Sequence, residues 1–259
     1  MTRKPVAVSN WKMAMTIAES VAWVRRFQAT ADAWLDAVDV VICPPFTSLS
    51  ATAQALRGSR IELAGQNMAP TLDPERMGQV SAELLIDAGC QRVVLGHWEV
   101  RRHLGDDDDI VNRKVRLALD TGLAPMLLVG EGRQEKAPLQ HVLRSRLDRV
   151  LAGCRAEQVE IMILTYEPES AIGVPEPASP AHAAAGCGII REWISERWGN
   201  TVANRVRLTY GGSVAPDYAS GLLSSPDIDG LGATRRGRNP EAFAEIVRQV
   251  ARIRLDQKD

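Results

Sequence analysis

Ile161-Met-Ile-Leu-Thr-Tyr166-Glu167-Pro168, running on into Ala171-Ile172-Gly173, is the stretch from which the chain is best read. A short apolar run of this kind is a buried strand, and here it ends abruptly in one carboxylate followed by proline. Pro168 has no N–H to continue a ladder, so Glu167 stands at a strand end with its side chain presented to whatever lies above. Taken alone, Glu167 is most simply a surface acid capping the next helix. It gains a second meaning when other strand ends carry matching chemistry.

Outward from this run, the same alternation of apolar strands and helical patterns fills the chain. Toward the amino terminus, strands are expected at Val6–Val8, Asp39–Cys43, Ile61–Ala64, Arg92–Leu95 and Ala124–Val129. Toward the carboxyl terminus they are expected at Val206–Tyr210 and, weakly, Asp227–Leu231. Helical spacing lies between them, around Ile17–Thr30, Val80–Ala88, Asp109–Asp120, Leu139–Leu151, Ala181–Arg197 and Pro240–Arg254. Near-continuous apolar strands separated by helices imply a parallel sheet covered by helices. Eight such units predict a single (β/α)8 barrel domain over 1–259, with an open doubly wound sheet as the alternative. No Gly-x-Gly-x-x-Gly follows the first strand, which counts against the dinucleotide-binding form of that alternative.

Composition narrows the function. At 259 residues and 45% apolar content the chain is long enough to bury a large core. A net charge of −1 points to neither nucleic acid nor an anionic membrane. No apolar run reaches the roughly 18 residues of a membrane span, and no signal peptide is visible at the amino terminus. Cys43, Cys90, Cys154 and Cys187 are scattered without metal or redox spacing, which suits reduced thiols in the cytoplasm.

In a barrel the loops after the strands share one face, so polar strand ends converge. The first strand gives Asn10-Trp11-Lys12, the fourth Gly96-His97-Trp98-Glu99, the sixth Glu167, and the seventh Tyr210-Gly211-Gly212-Ser213. Each has a plainer reading: a solvated lysine, a structural histidine, a tight turn. Together they supply a base, a hydrogen-bond donor, a cation and a backbone cradle for an anion. That set suits proton abstraction beside a carbonyl on a small phosphorylated substrate, with the oxyanion held by histidine and lysine.

Ser9-Asn-Trp-Lys-Met13, Cys43-Pro-Pro-Phe46, Leu95-Gly-His97, Tyr166-Glu-Pro168, Ala171-Ile-Gly173, Tyr210-Gly-Gly-Ser-Val214 and Asp229-Gly230 resemble the triosephosphate isomerase family. The match keeps one register over nearly the whole chain. The resemblance implies a TIM barrel that needs neither cofactor nor metal, acts on a small phosphorylated sugar, and forms a homodimer through the loop 66–78. It further implies Glu167 as base, His97 as electrophile, Lys12 as the charge that holds substrate, and Asn10, Gly173, Gly211, Gly212 and Ser213 around the substrate. Triosephosphate isomerase is itself the standard worked case of a carboxylate base beside a neutral histidine.

Departures from the family cluster at the site. Trp98 replaces serine and Val100 replaces arginine, and the family glutamate that pairs with that arginine is Gln79 here. Losing both charges avoids stranding one of them. Glu169-Ser170 stands where the family lid opens with valine and tryptophan, and Met77 where the loop tip has threonine. Val174-Pro175-Glu176-Pro177 puts two prolines at the far hinge, which stiffens it. Counted without gaps, Thr234-Arg235 replaces a diglycine that binds phosphate, while a shifted alignment would use Gly232-Ala233. Arg235 then either clamps phosphate or forms a solvated basic turn with Arg236 and Arg238. The leading expectation is interconversion of triose phosphates. A relative acting on another phosphosugar, such as an erythrulose phosphate, is the alternative, and a non-catalytic phosphosugar- or partner-binding barrel is a third. Trp98 and Ser170 are expected to reshape the cavity wall.

Overall fold

A computed structural model describes residues 3–256, with side chains up to residue 252. Eight parallel strands close into a barrel in sequence order: β1 Val6–Asn10, β2 Asp39–Cys43, β3 Glu62–Gly65, β4 Arg92–Leu95, β5 Ala124–Val129, β6 Ile163–Tyr166, β7 Arg207–Gly211 and β8 Gly230–Ala233. The longer helices of the outer ring are α1 Ile17–Ala31, α5 Asp108–Thr121, α6 Leu139–Val150, α8 Pro180–Trp198 and α11 Pro240–Asp256. Shorter ones are α2 Leu49–Ala55, α3 Ala82–Asp87, α4 Trp98–Leu104, α7 Ala156–Glu160, α9 Asn200–Ala203 and α10 Pro216–Leu222. Among the described residues no helix is long and apolar enough to cross a membrane.

Local signals set these elements. Thr16 and Glu19 form a reciprocal capping box that starts α1. Asp107 caps α5, which Gly122 ends in the left-handed conformation, φ 91°. Within each strand the side chains alternate. Leu164 and Tyr166 of β6 belong to the layer between strands and helices, whereas Ile163 joins Val8, Val41, Val94 and Met126 in the lumen. This alternation carries through 163, 165 and 167, so Glu167 follows the lumen face of its strand. Tyr166 is packed so tightly that a Cβ on Gly186 of α8 would lie 2.3 Å from its ring.

The lower end of the lumen is charged. Arg92 pairs with Glu62, and Asp39 takes both Lys4 at 2.6 Å and Arg207 at 2.5 Å. Burial pulls the Arg207 pKa down, and the neighbouring Arg92 charge adds to the effect.

Most strands are bounded a residue or two away from where they are expected, and two begin at least two residues late. β6 begins at Ile163 because Ile161 closes the short helix α7 and Met162 N–H donates to Val159 O. β8 begins at Gly230, since Ile228 N–H turns back to Ser225 O and Asp229 is a hub. Its carboxylate accepts from Arg3, Arg191 and the Leu208 N–H. Gly230 is obligatory there, because a Cβ would fall 1.7 Å from Val6 O.

Candidate active site

β6 delivers Glu167 to the barrel mouth, where its N–H donates to Val129 O at 2.9 Å. Below it the Thr165 and Thr209 hydroxyls are hydrogen-bonded at 2.8 Å, forming a polar floor. A Cβ on Gly211 would come within 2.9 Å of Glu167 Oε1, so glycine at that strand end is what gives the carboxylate its room. Glu167 is only 7% exposed, and its Oε2 has no hydrogen-bond partner among the described residues. That oxygen lies 3.4 Å from His97 Nε2. A buried carboxylate oxygen left without a donor carries a desolvation cost, and at a cleft that marks a site built to act on something else.

His97 follows Gly96, whose φ of 79° turns the chain off β4, and it is the N-cap of α4. Its Nδ1 accepts from the Glu99 backbone N–H at 3.0 Å. A ring nitrogen that accepts carries no proton, so in the neutral imidazole Nε2 is the donor, and it faces Glu167.

Lys12 is held in the left-handed region, φ 53°, which costs a non-glycine residue roughly 1–2 kcal/mol. Its N–H donates to Asn10 Oδ1 at 2.9 Å, and Gln66 Nε2 donates to both Lys12 O and Cys43 O. Its ammonium meets Glu99 at 2.5 Å. Burial pushes the Glu99 carboxyl up, but the hydrogen bond and charge of Lys12, with His97 and His103 adding theirs, outweigh it and leave the pKa below the usual range.

A cavity of about 290 Å³ opens above these groups, bordered by Lys12, Glu167, Gly173, Ser213, Thr234 and Arg235. Arg236 and Arg238 line the same opening. β8 pairs Ala233 with Ser9, and Thr234-Arg235 come directly after the strand. The lid over the cavity is docked. Ser213, at φ 46°, points its hydroxyl at Ala171 O (3.0 Å) and Val174 O (2.5 Å), and Ala178 N–H donates to the Tyr210 hydroxyl at 2.8 Å. A Cβ on Gly212 would meet Ala171 Cβ at 2.8 Å, so that glycine is what lets the lid approach.

Two expectations are corrected. Trp98 does not border the cavity: its ring is stacked by Arg146 at 4.8 Å and approached by Arg101 at 5.9 Å, over the loop that follows β5. A residue in the first turn of α4 points away from the lumen into which its predecessor, His97, reaches. Ser170 is exposed and also lies outside the cavity. Residues that sequence reasoning left unassigned include Glu99 and Gln66, which fix Lys12, and Glu131, which accepts from the Tyr166 hydroxyl and meets His182 Nε2 at 2.8 Å. Glu99 was visible as an acid two places after His97; nothing local marks Gln66 or Glu131.

A (β/α)8 barrel whose strand ends bring a buried carboxylate, an imidazole and a lysine into one mouth defines an aldose–ketose isomerase, an intramolecular oxidoreductase. Residues 5–250 match the family model described as triosephosphate isomerase. Curated relatives described as triosephosphate isomerase are similar along their whole length. That of Symbiobacterium thermophilum is 39% identical over 97% of this chain and 99% of its own. Those of Carboxydothermus hydrogenoformans and Solibacter usitatus are 38% and 36% identical, each over 95% of this chain and over 98% and 99% of theirs. The chain belongs to the triosephosphate isomerase family.

Proposed function

We propose that this chain interconverts dihydroxyacetone phosphate and glyceraldehyde 3-phosphate, within one barrel domain and in the cytoplasm, where its four unpaired cysteines suit a reducing environment. The observation that carries the reading is the buried, unpartnered Glu167 Oε2 facing His97 Nε2 at 3.4 Å beneath the cavity. Substrate entering between them turns a poor contact into two useful ones. Glu167 takes a proton from the hydroxymethyl carbon of the ketose. His97 Nε2–H and the Lys12 ammonium donate to the two oxygens on which enediolate charge develops. The hydroxyl proton passes from the first oxygen to the second, the carboxylic acid returns its proton to the neighbouring carbon, and the aldose results. Asn10, Gly211 and Gly212 shape this mouth, while Gly173, the Ser213 backbone, Thr234 and Arg235 face the phosphate, Arg235 with a charged fork where backbone donors would otherwise act.

A second reading rests on one feature, the three arginines Arg235, Arg236 and Arg238 around a single opening. They favour a longer phosphosugar such as a four-carbon ketose phosphate, because reach and charge lie at the phosphate end. Steady-state turnover of glyceraldehyde 3-phosphate beside four-carbon ketose phosphates decides the matter. A higher kcat/KM for the triose supports the first reading, and the reverse order replaces it with the second.

The partner we propose is a second copy of the chain. Met13 and Met77 are fully exposed in one protomer, and a notch lined by Met13, Lys12, Gln66 and Val100 lies open beside the site. Exposed methionines of this kind fit an adaptable apolar contact. Sedimentation at micromolar concentration should give the mass of two chains, and Met77→Asp should give the mass of one.

A further inference from the structure

Glu169 opens the lid two residues after Glu167, yet it is only 5% exposed. A buried carboxylate is costly unless paired, so its partners matter. Its Oε2 accepts from the Arg133 backbone N–H at 2.7 Å, on the loop after β5. The Arg102 guanidinium of α4 stands against the other oxygen as an ion pair. The Glu169 N–H is also tied down, donating to Glu131 O at 3.0 Å. None of these partners belongs to the lid. All three hold the hinge where it now lies. The helix that supplies Arg102 is the one whose N-cap is His97. One carboxylate therefore joins the segment carrying Glu167 to the helix carrying His97.

We propose that Glu169 is a positioning residue: its ion pair with Arg102 latches the lid hinge to α4, keeping the lid shut and Glu167 aimed at His97 during turnover. The idea rests on the assignment of Glu167 as base. A merely structural ion pair would hold the fold together without biasing the lid. A latch instead stabilises one of two lid states, and a coupling of this size is worth about tenfold.

The test is steady-state kinetics of Glu169→Gln, Arg102→Met and the double variant with glyceraldehyde 3-phosphate, alongside the inorganic phosphate released per turnover. If the lid opens too often, the enediolate meets water while still bound. Its electron pair then expels phosphate from the adjacent carbon, and the enol left behind becomes methylglyoxal. Each single variant should lose about tenfold in kcat with KM within threefold, and release several times more phosphate per turnover. The double variant should be no worse than the worse single one. Unchanged kcat and phosphate release in both singles, or losses that multiply in the double, would overturn the latch. Should Glu169→Gln not fold, Arg102→Met decides alone, because Arg102 is half-exposed. Glu167→Gln in the same assay separates the two claims. If it is inactive while Arg102→Met is normal, only the latch fails; if it retains full turnover, the base assignment fails.

Discussion

The ends of β1, β4 and β6 and the end of β8 border one mouth, but they are built differently. At the first three, the polar groups have fixed neighbours, with Glu167 Oε2 alone left open toward the cavity among the described residues. The Lys12 backbone is held by Asn10 and Gln66 and its ammonium by Glu99, and the His97 ring is oriented by a backbone N–H. At the fourth, Arg235, Arg236 and Arg238 stand exposed on a turn. Preorganised groups can stabilise a transition state without moving, whereas long solvated side chains attract and adapt. The reacting carbons thus meet a rigid wall and the phosphate a compliant one. In this chain the compliant wall is one of the places where the family pattern has been rewritten.

Substitutions can break that contrast, and the largest effects belong to the rigid wall. His97→Gln and Lys12→Met should each lower kcat/KM by about 10²–10³. Unchanged kinetics in either would make that residue structural. Glu167→Asp withdraws the carboxylate by about one methylene and should cost about a hundredfold in kcat with KM little moved. Near-normal turnover would remove Glu167 from the base role. On the compliant wall, Arg235→Ala should raise KM about ten- to a hundredfold for every phosphorylated substrate, since a charge-assisted hydrogen bond contributes about 1.5–3 kcal/mol. An unmoved KM would make Arg235 a solvated turn residue.

Smaller effects sharpen the same picture. Trp98 lies outside the cavity, so Trp98→Ser should leave the ratio of three- to four-carbon turnover unchanged. Losing the Arg146 stack should instead cost about 0.5–1 kcal/mol, seen as a modest fall in Tm. A changed ratio with unchanged Tm would put the indole back at the substrate. The smallest effect is that of pH on the Lys12–Glu99 pair. The folded Glu99 pKa lies below its unfolded value, so the pair's stabilisation is present above the ordinary carboxylate range and is lost as pH falls through the lowered folded pKa. Wild type and Glu99→Gln should therefore differ in Tm at pH 7 and converge in acid, the difference being slight because Glu99 is half-exposed. A gap that persists at low pH would mean that the charge of Glu99 is not what matters.

Much of this was legible in the chain. The strands announced themselves as apolar runs, and the barrel placed Lys12, His97 and Glu167 on one face. The short helices α2, α4, α7, α9 and α10 were not, since four to seven residues hold too few turns to show a period. Side-chain direction was equally hidden. Trp98 follows His97 in sequence but diverges from it by a helical step. The Ser213 hydroxyl, placed by pattern near a phosphate, points at the lid. Glu169 stood out only as a departure in the lid, and its partners on other loops give it meaning.

The ionic layer of Arg92, Glu62, Arg207 and Asp39 across the bottom of the lumen has a consequence for traffic. With Val8, Val41, Val94, Met126 and Ile163 packed between those ion pairs and the mouth, the barrel is a well and not a tunnel: substrate and product share one doorway. On the latch proposed above, how long the enediolate is sheltered equals how long that doorway stays shut, which makes fidelity a matter of lid dwell time.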